Sequence, residues 1–555
     1  MFFLDSKIFK KRICIIRVVF ILIFVLLTLR IFIYQYINAK DLKTIAENQY
    51  QYKEKVSELN YLLLDCNGKD LLTYSNEYYA VIDPYSFKFN NYYTKKDELY
   101  ALNVTLKNYN KEYNLDNIDF QKKSEKIKWI IDETTYNKLT KIKGIKGFYI
   151  YRYVKVDREN KWWSVENILT NSYKIDPKGQ KIDKDKDSLE YMLKDKTANN
   201  KYVYSMLKKD VNGNVYKEHV TSSKDNIHIR TTLDKYLQDK IKEILNNEPH
   251  NSYEQIGVVL MESDTGKIRA MVQKDDMNPN VNLGISTNHG FFPGSIFKVI
   301  VEEAGLETGK ISLNKKYRLN TNLSLRYKGH EREEVMDCGE ALIQSSNDIY
   351  AQIGIDVGIK DIKNFSEKQG FTNKVLNLDE ETHGFFEGND KEAGDVELTS
   401  FGQKQRITPI EAISIPNTVI NKGVYVKPYI IDSYVNQDNV TIEECNTVKS
   451  KVFSETTANI LKNQMLEVVK SSRGTGKQAY LNDIIVGGKT GTAEREEGKN
   501  KFYDGWFAGF FTIDKKNYSM VVFVKNIGSD KGGGSTAAPI FKEIVQETKE
   551  YLNNF

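Results

Sequence analysis

One long apolar run near the start of the chain limits what the rest of the molecule can become. Residues 13–37 are almost entirely apolar, and residues 18–29 carry no charge, with Arg17 and Arg30 at the two ends. A single segment that crosses a bilayer must be a helix, because its backbone groups find no partners in lipid. Arginines at the ends of a short span can reach the interface. We therefore predict one transmembrane helix over residues 13–37.

The charges before this run predict its orientation. Lys7, Lys10, Lys11 and Arg12 precede it, and Asp5 is the only acid there. Positive residues stay on the cytoplasmic side, so residues 1–12 are predicted to be a cytoplasmic tail and the remainder extracytoplasmic. No small-residue cleavage site follows the run, which favours an uncleaved anchor over a signal peptide. The alternative is an amphipathic or core helix.

The composition excludes several classes of protein. With 555 residues, two or three domains are expected, and 80 basic against 75 acidic residues give a net charge of only +5. That balance argues against nucleic-acid binding. The four cysteines form no C-x-x-C pair and no disulfide framework. Six histidines without an H-E-x-x-H motif give little support to a metallohydrolase.

The chain changes character near residue 226. Residues 38–225 are polar and rich in tyrosine and lysine, with a strand expected at 80–82 and helices at 129–139 and 187–195. We find no catalytic constellation there, so a spacer or interaction domain is predicted. From residue 226 onward, strands are expected at both ends and helices between them. This order predicts an α+β domain in which helices cover an antiparallel sheet. The expected elements are a helix at 236–245 capped by Asp234, strands at 256–261, 268–272, 484–486, 505–512 and 518–524, and a last helix at 539–551.

The first chemical motif is Ser295-Ile296-Phe297-Lys298, which follows a Pro-Gly turn and opens an apolar run typical of a buried helix. Residues at i and i+3 share one face of a helix, so the hydroxyl and the amine can meet. A serine becomes a nucleophile when a base takes its proton. Lysine can be that base if burial or a nearby cation displaces its own proton. The same spacing occurs at Ser205 and Ser312, so the motif alone is weak evidence.

Two further motifs follow in order. Ser345-Ser346-Asn347 comes where a helical pattern ends, and its hydroxyl and amide can relay a proton and hold a substrate amide. Gly487-Gly488-Lys489-Thr490-Gly491-Thr492 combines a fixed positive charge with two hydroxyls on one side of a strand, which suits a carboxylate ligand. A phosphate loop would need glycine at position 483, where Asp483 stands.

These three motifs in this order resemble those of the penicillin-binding proteins, and within them the class B proteins. The resemblance covers residues 226–545. Further matching stretches are Asp264-Thr265-Gly266, Gly402-Gln403, Thr408-Pro409, Gly474-Thr475-Gly476 and Trp506-Phe507-Ala508-Gly509. The resemblance implies a transpeptidase domain over residues 226–555 and a pedestal domain over residues 38–225.

The resemblance also implies a function. It predicts a membrane-anchored serine D,D-transpeptidase that cross-links peptidoglycan stem peptides through an acyl-enzyme and is acylated by β-lactams. A membrane glycan polymerase and other wall-synthesis proteins are the implied partners, and no metal or cofactor is implied. Ser295 would be the nucleophile, Lys298 its base, Ser345 the proton relay, Asn347 the residue that orients the donor peptide, and Lys489 the nearby cation. Thr490, Gly491 and Thr492 would bind substrate, with backbone N–H groups of Ser295 and Thr492 as the oxyanion hole.

Three alternatives use the same site. One is a hydrolase, either a carboxypeptidase or a β-lactamase that needs a carboxylate to activate water; Glu380, Glu381 and Asp395 are the acids that could fold nearby. The second is a β-lactam sensor, and the third is a catalytically silent scaffold. A separate hypothesis places zinc on His330, Asp337 and Cys338, against the favoured interpretation of an exposed loop with a buried cysteine.

Overall fold

The computed structural model describes residues 6–37, 50–120, 125–320, 334–388, 394–498 and 500–554. The chain begins with the helix Ser6–Phe32, which continues as a single π-helical turn, Ile33–Ile37. The segment Lys10–Ile37 is long and apolar enough to cross a membrane, and none of it is buried against the protein. An apolar helix that packs on no other described part of the chain is consistent with a membrane anchor, as predicted.

The described chain forms two compact units. The first comprises Met1–Asn60, Tyr74–Lys155 and Lys201–Ser223, and the second comprises Tyr61–Thr73, Val156–Asn200 and Lys224–Phe555. The second unit therefore includes two segments that precede residue 226 in the sequence. The domain boundary at residues 225 and 226 stays a prediction.

The first unit contains two three-stranded sheets. One sheet orders its strands as Gln51–Lys55, Tyr204–Lys209 and Val215–Thr221, and the other as Ile127–Ile131, Tyr74–Ile82 and Phe148–Val156. A buried cluster that includes Leu102, Leu106 and Leu139 joins the helices to the second sheet. The helices of this unit after the N-terminal one are Pro84–Asn90, Lys96–Tyr109 and Glu133–Leu139, with the 3₁₀ turn Leu115–Asn117.

The prediction of one helix over residues 129–139 is wrong in its first part. Ile127–Ile131 is a strand paired antiparallel with Tyr74–Ile82, and the helix begins only at Glu133. Asp132 separates the two elements, because its carboxylate accepts a hydrogen bond from Thr135 N at 2.7 Å and caps the helix. Pairing with a long neighbouring strand prevails over the helical pattern of this short stretch.

A five-stranded antiparallel sheet organises the second unit. Its strand order is Ile268–Gln273, Gln255–Glu262, Lys516–Ile527, Asn500–Ile513 and Ile485–Glu497. We call the last of these, which is an edge strand, the motif strand, because Lys489, Thr490 and Thr492 lie on it. The antiparallel sheet is the one predicted, although its last three strands are longer than expected.

Helices cover both faces of this sheet. Phe507 and Phe511 point to the face that packs on the helices Lys235–Asn246 and Ala537–Asn554. Trp506 points to the opposite face, where its ring lies 4.5 Å from that of Phe523. This alternation follows from the two-residue period of a strand. The α+β class with helices on an antiparallel sheet is confirmed.

The predicted start of the helix Lys235–Asn246 is also confirmed, since Asp234 accepts a hydrogen bond from Leu237 N at 3.0 Å.

The remaining described elements of the second unit are a further sheet, strand pairs and helices. A four-stranded sheet has the strand order Thr441–Glu444, Ile431–Val435, His228–Thr231 and Leu63–Leu64. Four two-stranded pairs are Tyr173–Ile175 with Lys181–Asp183, Tyr317–Arg318 with Val335–Met336, Phe385–Phe386 with Gln405–Arg406, and Val424–Val426 with Lys449–Lys451. The other α-helices are Val165–Leu169, Leu189–Lys196, Lys298–Glu307, Cys338–Gln344, Asn347–Val357, Ile359–Lys368, Asp395–Ser400, Pro409–Ala412, Ser414–Ile420 and Glu455–Lys470. Short 3₁₀ turns are His250–Ser252, Val281–Leu283, Gly294–Phe297 and Lys477–Ala479.

Candidate active site

Ser295 lies at the entrance to a buried helix. The 3₁₀ turn Gly294–Phe297 runs directly into the α-helix Lys298–Glu307, which we call the serine helix. Ser295 is half-buried, whereas Lys298 is completely buried. The helical spacing predicted for the pair is thus present, with the serine on the tighter 3₁₀ turn. The hydroxyl remains reachable from outside while the amine is shielded from water.

The turn that carries Ser295 is held by close backbone contacts. Gly294 has φ +55°, and a Cβ at this position would lie 2.4 Å from the carbonyl oxygen of Thr492. Gly294 N also donates to Gly402 O at 3.0 Å. Trp506 Nε1 donates to Phe292 O at 3.0 Å. These contacts bring the motif strand against the nucleophile turn, and a side chain at residue 294 would separate the two.

Lys298 reaches across to the second motif. Its Nζ donates to Ser345 O at 2.7 Å and to Asn347 Oδ1 at 2.8 Å, and it lies 3.3 Å from Ser345 Oγ. An amine that donates to neutral oxygens in a dry site can lose a proton at less cost than one paired with a carboxylate. The predicted juxtaposition of Lys298, Ser345 and Asn347 is therefore present.

Ser345 occupies a strained position between two helices. The helix Cys338–Gln344 ends at Ser345, whose φ of 60° is left-handed, and Ser346 then caps the helix Asn347–Val357. Non-glycine residues in this conformation are uncommon and cluster at functional sites. The break turns the Ser345 side chain and carbonyl toward the lysines, whereas Ser346 Oγ accepts from Ile349 N at 3.2 Å. The motif lies at a break between two helices, where a transition from helix to loop was predicted.

Lys489 approaches the same hydroxyl from the motif strand. Its Nζ donates to Ser345 Oγ at 2.9 Å and to Thr490 O at 3.0 Å. Burial lowers the pKa of Lys489 to about 7, because a charged amine loses its hydration there. Burial of this amine thus opposes the fixed positive charge that the third motif predicts at Lys489.

The other residues of the third motif line one side of the motif strand. Thr490 is buried, and its Oγ1 lies 2.7 Å from Thr475 Oγ1. Thr492 is exposed, and its Oγ1 accepts from Gly533 N at 3.2 Å. A Cβ at Gly491 would lie 2.6 Å from Pro293 O. Two hydroxyls thus face the same side of the strand while the glycine between them permits close packing on the nucleophile turn.

Two supports of the motif strand were not assigned a role from sequence. In the amide orientation that satisfies both of its polar atoms, Gln403 donates to Glu494 O at 3.1 Å and accepts from Glu494 N at 3.2 Å. Gly533 packs so closely that a Cβ would lie 2.3 Å from Gly491 O. The run of three glycines at residues 532–534 was the available signal for a close backbone approach.

The three acids suggested for water activation make hydrogen bonds or ion pairs with other groups. Glu381 is buried and accepts backbone N–H bonds from Val375, Leu376 and Leu378 at 2.8–3.2 Å. Asp395 lies 3.1 Å from Lys404 Nζ. Glu380 lies 3.5 Å from the buried Lys184 Nζ. Each carboxylate is thus tied to its own local partners.

The residues of the zinc hypothesis have their own partners where the structure describes them. The thiol of Cys338 is buried and hydrogen-bonds to Glu302, and burial raises its pKa well above the usual value. Asp337 caps the helix Cys338–Gln344 and lies 2.9 Å from Lys316 Nζ. His330 lies outside the described residues. Within the described ranges, no group of three or more His, Cys, Asp or Glu side chains could hold a metal ion.

This geometry supports acyl-transfer chemistry. A reachable serine hydroxyl lies at a helix entrance, and two buried amines converge on a second hydroxyl that can pass a proton between them. The motif strand, with the buried Thr490 and the exposed Thr492 on one side, borders the site. Backbone N–H groups beside the turn are suited to stabilise an oxyanion.

Comparison with known proteins agrees with this geometry. The family described as "Penicillin binding protein transpeptidase domain" matches residues 256–546, just over half of the chain. Stage V sporulation protein D of Bacillus subtilis is 27% identical over 356 residues, which cover 59% of this chain and 54% of that protein. Peptidoglycan D,D-transpeptidase FtsI of Buchnera aphidicola is 25% identical over 369 residues, which cover 61% of this chain and 62% of that protein. The chain thus spans less than two thirds of the length of either relative.

Solved structures share the fold over nearly the whole chain. Penicillin-binding protein 2X from Streptococcus thermophilus gives a TM-score of 0.65 at 18% identity, over 90% of this chain and 80% of that one. Penicillin-binding protein 3 from Mycobacterium tuberculosis, complexed with aztreonam, gives 0.58 at 18% identity, over 90% of this chain and 97% of that one. At this identity the likeness concerns the fold alone.

Proposed function

Because this chain belongs to the penicillin-binding protein transpeptidase family, and within it to the class B proteins, we propose that it is a membrane-anchored serine D,D-transpeptidase. Its substrates are the stem peptides of peptidoglycan, and β-lactams acylate the same serine. The names of the relatives, and the aztreonam complex of a protein with the same fold, support this assignment. The observation that carries it is the convergence of Lys298 and Lys489 on the Ser345 hydroxyl, with Lys298 three residues after Ser295 where the 3₁₀ turn runs into the helix.

In the first half-reaction, Ser295 Oγ attacks the carbonyl carbon between the two terminal D-alanines. Lys298 accepts the hydroxyl proton as the new C–O bond forms. The backbone N–H groups of Ser295 and Thr492 stabilise the oxyanion, a large term in acyl transfer. The contact between Gly294 and Thr492 O supports this pairing, because it brings the two backbones together.

The leaving group then needs a proton. Ser345 Oγ, within hydrogen-bonding reach of both amines, passes a proton to the departing D-alanine as the C–N bond breaks. Asn347 holds the donor peptide, and Lys489, Thr490 and Thr492 bind its terminal carboxylate. In the second half-reaction an amine of a neighbouring stem attacks the acyl-enzyme and Ser295 regains its proton.

The position of the motif strand supports recognition of an extended peptide. It is an edge strand of the five-stranded sheet, so one side of its backbone is not paired within that sheet. A donor peptide can align along such an edge through main-chain hydrogen bonds. Gly491 keeps the strand close to the nucleophile turn, and the aligned peptide is thereby delivered to Ser295.

The remaining assignments follow from this function. We propose that residues 1–12 are cytoplasmic, that residues 13–37 anchor the chain, and that both following domains are extracytoplasmic, where peptidoglycan is assembled. Residues 38–225, most of which belong to the first compact unit, serve as a pedestal for interaction, and residues 226–555 form the transpeptidase domain. The proposed chemistry joins peptides only, so a membrane glycan polymerase is the expected partner.

Covalent labelling tests the proposal. The full-length protein in detergent should be labelled stoichiometrically by a fluorescent penicillin and should release D-alanine from a stem-peptide substrate while joining it to a D-amino-acid acceptor. Ser295→Ala should abolish both signals. Ser312→Ala is the matched control, because Ser312 has the same spacing to Lys315 but is exposed. Labelling that survives in Ser295→Ala, or acyl-enzyme without transfer to the amine, would refute the proposal.

A further inference from the structure

A buried carboxyl lies one helical turn beyond Lys298. Glu302 is completely buried on the serine helix, four residues after Lys298, so both side chains lie on one face. Its oxygens accept side-chain hydrogen bonds from three other helices. The donors are Tyr350 Oη at 2.5 Å, Gln464 Nε2 at 2.7 Å and the thiol of Cys338.

Each of these three helices carries or adjoins residues of the candidate active site. Cys338 begins the helix that ends at Ser345, and Tyr350 lies on the helix that begins with Asn347. Gln464 lies on the helix Glu455–Lys470, which ends shortly before Thr475. The Glu302 carboxyl therefore ties the serine helix to the elements that position the second and third motifs.

Tyr350 links this carboxyl to the amine. Lys298 Nζ lies 5.3 Å from the centroid of the Tyr350 ring, while Asn347 Oδ1 from the same helix accepts from Nζ at 2.8 Å. An ammonium group is stabilised by the face of an aromatic ring, more strongly in a dry site. The orientation of the ring depends on its hydroxyl, which is held by Glu302.

Several titratable groups face Glu302. They are Tyr350 and Cys338 in direct contact, and Asp337 and Tyr317 nearby. Burial raises the pKa of the Glu302 carboxyl above its usual value, and its hydrogen bonds oppose that rise.

We propose that Glu302 is a positioning residue for acylation: by holding the Tyr350 hydroxyl, it fixes the ring that contacts the Lys298 amine. This inference rests on the proposed function, because it assigns Glu302 a role through the base of that reaction. The ring favours the protonated form of Lys298 and restricts where Nζ can lie, and the carboxyl acts through the ring. Loosening the ring therefore misplaces the amine and weakens the preference for its protonated form.

The adjacent residue offers a matched control. Glu303 is equally buried on the same helix, but its carboxyl accepts from Gln369. Burial raises the pKa of Glu303 as well. A change from Glu to Gln at residue 303 therefore reproduces the loss of a buried carboxyl on the serine helix without touching Tyr350.

The experiment measures the second-order rate of acylation by a fluorescent penicillin from pH 5 to 10, with the full-length protein in detergent. Glu302→Gln and Tyr350→Phe should each slow acylation about tenfold. Each should also shift the acidic limb of the pH–rate profile toward lower pH by roughly half a pH unit to one pH unit. The double variant should resemble the single variants, since both remove one interaction. Glu303→Gln should keep the wild-type profile.

The outcomes separate this inference from the proposed function. A wild-type protein that is not acylated overturns both. Acylation of the wild type with an unchanged pH profile in Tyr350→Phe, or an equal shift in Glu303→Gln, overturns only the role of Glu302. Tyr350→Phe loses a single hydroxyl, so it decides the question if Glu302→Gln does not fold.

Discussion

The side-chain oxygen of Ser345 lies 2.9 Å from Nζ of Lys489. The same oxygen lies 3.3 Å from Nζ of Lys298, although the two lysines are far apart in sequence. One hydroxyl therefore connects the amine of the serine helix with the amine of the motif strand. A proton can move along this chain without a water molecule, which a buried site does not readily supply.

Removal of the Ser345 hydroxyl should break this connection. Ser345→Ala should slow acylation by a fluorescent penicillin about a hundredfold, because the leaving nitrogen loses its proton donor. Ser346→Ala is the control, since that hydroxyl caps a helix. Ser346→Ala should lower the free energy of unfolding by about 1 kcal/mol and keep most of the acylation rate. Stopped-flow labelling with parallel thermal melts measures both; equal rates in the two variants would contradict the relay.

The charge of Lys489 should make ligand binding depend on pH. Burial lowers its pKa to about 7, so the amine is charged below that pH and neutral above it. The affinity for a β-lactam carboxylate should therefore fall as pH rises through about 7. Titrations with Ser295→Ala isolate the non-covalent step, and a β-lactam ester that lacks the carboxylate is the control. A constant affinity of the free acid from pH 6 to 9 would contradict this prediction.

The acyl-enzyme should react slowly with water. The acids suggested for water activation, Glu380, Glu381 and Asp395, are each held by other groups. A chromogenic cephalosporin should give a burst of one equivalent of product and then little turnover. The absorbance of the released chromophore measures both phases. Sustained hydrolysis of many equivalents per minute would favour the β-lactamase alternative over the transpeptidase.

Gly402 should be essential for the geometry of the nucleophile turn. It has φ +84°, and a Cβ there would lie 2.1 Å from Gly294 O. Gly402→Ala should destabilise the protein and displace Ser295, with loss of acylation. Gly309→Ala is the matched control, because Gly309 has φ +69° with nothing within 4 Å of its Cβ position. Gly309→Ala should lower the free energy of unfolding by only the backbone strain, about 1 kcal/mol, and should still be acylated. Similar melting temperatures and rates for both variants would argue against the contact.

The orientation of the anchor can be tested in cells. The basic residues before the helix predict that everything after residue 37 lies outside the cytoplasm. Protease added to intact, wall-stripped cells should digest an epitope at the C-terminus and spare one fused at the N-terminus. Lysed cells serve as the control for access. Protection of the C-terminal epitope would exclude an extracytoplasmic catalytic domain.

The sequence by itself determined the elements that depend only on residues close together in the chain. The apolar run, the Asp234 cap and the order of the three motifs can each be identified without tertiary contacts. Each depends on neighbours within a few residues, so composition and spacing suffice. The end of a helix at Ser345 was likewise expected, although the sequence predicted a loop after it and the structure begins a second helix at Asn347.

Only the tertiary structure decided how the motifs meet. It brings Lys298, Ser345 and Lys489 together because the turn Gly294–Phe297 packs on the motif strand, which local propensity does not encode. It also decided that Lys489 is completely buried, which lowers the pKa of its amine. The strand at Ile127–Ile131 was missed for the same reason, since its pairing partner is remote in sequence. The buried Glu302 has no sequence motif, because its role arises from three helices that close around one carboxyl.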